Sequence, residues 1–224
     1  MQNTFEEGRL LLINKPVDWT SFDVVKKLRY VLKVKKIGHA GTLDPLATGL
    51  LIIGTGKFTK KLHELQGLDK SYEGIIEIGK TTPSYDLETE FDSESDWSNV
   101  TAEMMEAVKK KLSGPIEQIP PAHSAIKVGG ERAYKKARKN KEVKLEPRSV
   151  TIHNFEIDAS SLPNVKFRVE CSKGTYIRSL AHDFGRELGV GGYLKKLVRT
   201  SVGDYQLSDA VDLDEFIRQN NEGN

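Results

Sequence analysis

Residues Gly38–Gly49 read GHAGTLDPLATG: three Gly, one Pro and two Thr in twelve positions, with His39 and Asp44 as the only ionisable side chains. Turn-forming composition around a lone carboxylate leaves two uses for Asp44. A carboxylate can act as a nucleophile in covalent catalysis. It can also cap a helical turn that starts at Pro45, since Asp is favoured at the cap and Pro just inside. Asp44 is further restricted to extended backbone because a proline follows it. His39 on its own reads as a hydrogen-bonded loop residue.

Other chemistries fail on spacing. Gly54-Thr55-Gly56-Lys57 resembles a phosphate loop, but the first glycine of that pattern falls on Leu51 and its closing Ser/Thr on Phe58. No dinucleotide fingerprint occurs. The five His are scattered, so no metal site and no cofactor are expected. A single Cys excludes an intrachain disulfide framework and a Cys-rich zinc site. Charge is uneven beneath a net +2. Residues 127–148 hold nine Lys or Arg against three Glu, whereas Asp86–Asp96 holds six acids and no base. The basic stretch is either a solvated helix face or a surface for a polyanion.

The elements that must position these groups follow from periodicity. Arg9–Ile13 reads as a strand. Thr20 with Asp23 forms a capping-box pattern ahead of Val24, Val25, Leu28, Val31 and Leu32 at helical spacing. That helix is expected to stop near Lys33–Lys36. Leu50–Ile53 and the alternating Tyr72, Gly74, Ile76 and Ile78 read as strands. Thr81–Asp96 reads as an acidic loop, and Thr101–Leu112 as a helix with Met104, Val108 and Leu112 on one stripe. Ser149–Ile157 and Val165–Cys171 are strands, Ile177–Leu188 a helix, and Tyr193–Ser201 a strand. A last helix, Ser208–Gln219, is expected with Ser208 as its cap. Helices and strands mix without βαβ alternation, which predicts an α+β fold. At 224 residues, 29% charged and 38% hydrophobic, the chain suits a globular domain with a full core. No apolar run is long enough to cross a bilayer, and the N-terminus lacks a signal-peptide pattern, so a cytoplasmic location is expected.

Several motifs, in order along the chain, resemble the TruB family of tRNA pseudouridine synthases. His39–Gly49 is similar to that family's catalytic loop. Asn14-Lys15-Pro16 with Trp19-Thr20-Ser21 is similar to its N-terminal motif, and Lys70-Ser71-Tyr72 to the segment with its active-site Tyr. Ile119-Pro120-Pro121 through Ser124–Lys127 resembles the start of its RNA-binding insertion. Cys171–Arg178 resembles the segment with its active-site Arg, and Leu197, Arg199, Val202 and Gly203 the segment after it. The loop after Tyr72 departs from the family pattern at two places, with Ser84 for a Thr and Thr89 for a Gly.

The resemblance implies the pseudouridine synthase fold, with a mixed, mainly antiparallel sheet flanked by helices and loops. It implies conversion of uridine to pseudouridine at position 55 in the T-loop of tRNA, without a cofactor. Asp44, Tyr72 and Arg178 would be catalytic, with Arg178 the partner of Asp44. The resemblance leaves open whether Asp44 adds to base or ribose or assists a glycal route. His39, Tyr72, Tyr176 and Leu197 would bind the target nucleotide. Lys15, Lys127, Arg132, Lys135, Lys136 and Arg138 would bind RNA, most of them within a basic insertion at about 119–148. One catalytic domain over 1–224 is expected, because 21 residues after Gly203 are too few for the C-terminal PUA domain of many members. The expected partner is the tRNA T-arm, with no membrane and no obligate protein partner. A tRNA-folding chaperone with secondary or lost catalysis is the competing reading.

Overall fold

The computed structural model describes residues 4–124, 126–128, 130–133, 136 and 145–221, with backbone alone for 127, 128, 131, 132 and 221. Contacts divide the chain into two compact units, Met1–Tyr72 with Leu197–Asn224, and Glu73–Lys196. The chain passes from one to the other inside two strands, Lys70–Ile78 and Gly192–Val202.

In the first unit the strand Leu10–Lys15 pairs antiparallel with Thr48–Thr55, from Leu10 opposite Gly54 to Lys15 opposite Gly49. Val211–Asp212 lies parallel on its other side. Ile37–His39 also pairs with Thr48–Thr55, and Val198 and Arg199 run parallel to Thr48 and Gly49. Leu50–Ile53 are buried on both faces, which explains a continuous apolar run in place of alternation. Thr20 caps the helix Ser21–Leu32 through the expected capping box with Asp23. The helix ends with Lys33 in the left-handed conformation. Its stripe of Val24, Val25, Leu28, Val31 and Leu32 packs with Ile13, Leu51, Ile53, Phe216 and Ile217. Each such side chain stabilises the fold by about 1.5–3 kcal/mol on burial.

In the second unit the strand part Glu73–Ile78 is followed in sheet order by Asn164–Cys171, Arg148–Ser161 and Gly114–Gln118. Val165, Phe167, Val169 and Cys171 point into the core as alternation predicts. Edge-on contacts of Phe155 with Phe167 and Phe184 tie this sheet to the helix Ile177–Glu187. The fold is therefore α+β, with mainly antiparallel pairing.

Two expectations are corrected. In the helix Ala102–Lys111, Met105 is 2% exposed and Met104 41%, so the buried stripe runs Met105, Val108 and Leu112. Thr101 rather than solvent then takes the orphan N–H of Met104. The last helix begins at Leu213, not Ser208, because Leu207–Asp209 forms a 3-10 turn and Val211–Asp212 joins the sheet. Among the described residues no helix is long and apolar enough to cross a membrane.

Candidate active site

Asp44 is half-buried in the irregular loop between the strands Ile37–His39 and Thr48–Thr55. Ala47 N–H donates to the Asp44 carbonyl at 3.1 Å, which closes a turn at Pro45 without continuing into a helix. The backbone around Asp44 is held carbonyl by carbonyl. Arg199 donates to the carbonyls of Gly41 (3.3 Å) and Thr42 (3.5 Å), and to Leu50 at 2.7 Å. Buried Ser21 donates its hydroxyl to the Leu43 carbonyl (3.1 Å) and accepts the Leu43 N–H (2.8 Å). The Pro45 carbonyl accepts from Lys15 Nζ at 3.1 Å and from the Asp18 N–H at 2.9 Å.

The two cations reach this loop through sheet register. Lys15 stands opposite Gly49 on one side and Arg199 on the other, and both are essentially unexposed, at 0% and 1%. Gly49 has φ +103°, and a Cβ there would lie 2.4 Å from the Arg199 carbonyl oxygen. Only glycine lets the loop rejoin the sheet at this spacing. Lys15 also donates to the carbonyls of Pro16 (2.8 Å) and Trp19 (2.6 Å). Burial lowers its pKa to about 8, and Asp44 provides the largest opposing, charge-stabilising influence. Lys15, expected to bind RNA, is buried here with its ammonium on three carbonyls. It fixes the Asp44 loop from beneath.

His39 ends the strand Ile37–His39, half-buried, with Nδ1 lacking a hydrogen-bond partner among the described residues. Burial first, and the nearby Arg199 charge, hold its pKa below the usual value, against an opposing bond to the Gly41 backbone. It is neutral at pH 7. Tyr72 and Leu197 are both buried in this unit. The Leu197 carbonyl accepts from Thr48 Oγ1 at 3.5 Å.

Arg178 and Tyr176 belong to the second unit, at the start of the helix Ile177–Glu187. Arg178 is 3% exposed and is therefore a buried cation. Its Nη1 donates to the Ser84 carbonyl (3.1 Å) and Nη2 to the His123 carbonyl (3.0 Å). Its Nε lies 3.6 Å from Asp86 Oδ2, and Asp86 is buried as well. Sequence reasoning counted Asp86 only as one acid of the run Asp86–Asp96. The hydroxyls of Thr82 (2.6 Å) and Ser84 (3.1 Å) both donate to the Asp86 carbonyl, and Asp86 Oδ1 accepts the Glu88 N–H at 3.0 Å. The two departures from the family pattern meet here: Ser84 Oγ lies 2.8 Å from Thr89 Oγ1, which also accepts the Ser84 N–H.

Tyr176 is held by the buried amide of Gln118, another residue that sequence reasoning missed. Gln118 accepts the Tyr176 N–H at 2.7 Å and donates to its carbonyl at 3.0 Å. The Arg148 guanidinium sits over the Tyr176 ring, 4.8 Å from its centre. In the basic insertion Lys127 pairs with Arg132 in a short antiparallel ladder. Lys136 is half-buried. Lys135 and Arg138 lie outside the described residues, as do the side chains of Lys127 and Arg132. Among the described residues no group of three or more His, Cys, Asp or Glu could hold a metal ion.

Residues 29–177 match the family model described as TruB family pseudouridylate synthase, N-terminal domain. The chain belongs to the TruB family. Residues 178–222 match the C-terminal domain described for tRNA pseudouridylate synthase B. The TruB relatives include the protein named tRNA pseudouridine synthase B of Flavobacterium johnsoniae, 52% identical over 217 residues, 94% of this chain and 95% of that one. That of Bacteroides fragilis is 50% identical over 218 residues, 95% and 94% of the two chains. Among solved structures, a chain in the crystal structure of a Cbf5–Nop10–Gar1 complex superposes with TM-score 0.75 at 27% identity. That match covers 96% of the TruB chain described here but only 54% of the other.

Proposed function

We propose that Asp44, Tyr72 and Arg178 carry out the conversion of uridine to pseudouridine at position 55 in the T-loop of tRNA. The enzyme is a tRNA uridine isomerase. The reaction breaks the N1–C1′ bond, forms a C5–C1′ bond and exchanges the C5 proton for one on N1, so it is redox-neutral and balanced without a co-reactant. Asp44 provides the carboxylate that the step requires. The observation that carries this assignment is the anchoring of its loop: each carbonyl from Gly41 to Leu43, and that of Pro45, is held by a donor from a rigid element. Such anchoring restrains a catalytic group to productive geometry.

A uridine inside the folded T-loop has to leave its stack to be reached. Tyr72 offers a ring for the flipped base and a phenol for the C5 proton, while Tyr176 and Leu197 each bind the target nucleotide. Neutral His39 fills the vacated space in the RNA better than it pairs with phosphate. Arg178 supplies a permanent, planar cation to the reaction. Lys127, Arg132, Lys135, Lys136 and Arg138 contact T-arm phosphates, each contact contributing roughly −0.7 to −0.9 to the slope of log K against log salt.

The test is pseudouridine formation on unmodified tRNA by the purified protein and by Asp44→Asn. The variant is expected to lose turnover entirely while binding tRNA within about threefold of the wild type, because affinity rests on phosphate contacts. Turnover by Asp44→Asn, free of wild-type enzyme, would overturn the assignment.

A further inference from the structure

Asp86 and Arg178 meet through two segments of the second unit, the turn Thr82–Asp86 and the helix Ile177–Glu187. A second link joins the same two segments. Tyr85, next to Asp86, stacks on His182, which lies one helical turn beyond Arg178 on the same face. The rings are nearly parallel, 13° apart, with centres 3.8 Å apart.

Three features make this more than ordinary packing. Tyr85 adopts φ +65°, a left-handed conformation that an aromatic residue rarely takes. It is also pinned there: its N–H donates to the Thr82 carbonyl at 3.1 Å and its carbonyl accepts from the Leu194 N–H at 2.9 Å. Strain of this kind persists only where the surroundings impose it, and it clusters at functional sites. His182, in turn, has a buried Nδ1 without a hydrogen-bond partner among the described residues. A buried polar atom left unpaired is unfavourable, so Nδ1 is not what holds the imidazole in place. The charged groups around the stack are Asp183, Arg186 and Asp92. Burial and Arg186 hold the imidazole neutral, so it meets Tyr85 as a flat uncharged ring.

We propose that Tyr85 and His182 are positioning residues whose stacked rings set the Asp86–Arg178 pair, and through it the guanidinium used in catalysis. The turn cannot shift along the helix without sliding one ring off the other, so the ion pair keeps its angle as RNA binds. Neither ring touches the reacting atoms in this scheme. The inference rests on the assignment of Arg178 to catalysis made above.

Tyr85→Gly separates ring from backbone, since glycine adopts φ +65° without strain. With folded protein confirmed by thermal melting, Tyr85→Gly is expected to lower single-turnover rate about a hundredfold, the scale of a misplacement near 1 Å. tRNA affinity should stay within about threefold, because no phosphate contact is lost. His182→Phe and Tyr85→Phe keep the stack and should restore turnover to within about threefold of the wild type, while His182→Ala should not. Tyr85→Gly with wild-type turnover would overturn the proposal. So would a folded His182→Phe as slow as His182→Ala, because the nitrogens and not the stack would then matter. Should His182→Ala fail to fold, the folded His182→Phe decides alone. A wild-type protein that makes no pseudouridine would refute the functional assignment itself, a result distinct from either outcome.

Discussion

Asp44 stands on an irregular loop whose carbonyls are gripped by buried cations, whereas Arg178 stands on a regular helix and is itself the cation gripped by carbonyls. In the first region the working group is an anion and its supports are positive. Lys15 and Arg199 end on backbone oxygen, so their hydrogen bonds hold the loop's backbone. In the second region the working group needs only packing to be placed, because a helix fixes its own backbone. The added contacts to Ser84, His123 and Asp86 choose its rotamer. A loop borrows order from distant strands, while a helix brings its own.

This contrast can be broken at Gly49. Alanine there meets the Arg199 backbone and forces a left-handed residue, so Gly49→Ala should cost about 4 kcal/mol of stability in urea unfolding. Gly114 in the second unit has φ +80° but open space around its Cα, and Gly114→Ala should cost only about 1 kcal/mol. Equal costs would mean that the close approach at Gly49 relaxes freely. Next, Arg199→Met leaves the carbonyls of Gly41, Thr42 and Leu50 without that donor, a loss of about 3 kcal/mol. A variant as stable as the wild type would show that the loop is not held from this strand.

Arg178→Lys sharpens the other side. An ammonium cannot reach Ser84, His123 and Asp86 together, so single-turnover rate should fall about a hundredfold, near 2.7 kcal/mol, with stability reduced by about 1–2 kcal/mol. Wild-type rates from the lysine variant would show that fork geometry is irrelevant there. The smallest effect concerns pH. Folded Lys15 releases its proton near pH 8, whereas the unfolded side chain keeps it to about 10.5. Between those values the unfolded chain binds more protons, so stability measured against Lys15→Met should rise with pH. A difference that stays flat from pH 7 to 10 would mean that the ammonium is not desolvated.

The same contrast explains what could be read in the residues alone. The helix around Arg178 was legible because Ile177, Leu180, Ala181, Phe184 and Leu188 repeat at helical spacing and all are buried. The Thr20–Asp23 capping box was legible because both partners lie within four residues. Asp44 was legible as a lone acid in a turn-rich segment. Its anchors were not, since Lys15 and Arg199 are adjacent only through strand register. Lys15 looked like a surface cation because burial of a lysine depends on carbonyls that no local pattern reveals. Met105 replaced Met104 for a simpler reason: adjacent methionines fit one stripe about equally well, and only packing decides between them.

Ser84 and Thr89 carry a consequence for heredity and for engineering. Their hydroxyls satisfy each other beneath the Asp86 turn, and Ser84 is fully buried. The Ser84 hydroxyl also donates to the Asp86 carbonyl and Thr89 Oγ1 also accepts the Ser84 N–H, so exchange of either residue alone leaves the other's oxygen with one partner, and the two positions, four intervening residues apart, are coupled without being inseparable. A chimaera that imports this turn from a relative should carry both positions together, and a library that varies them as a pair would read a coupling that single exchanges understate.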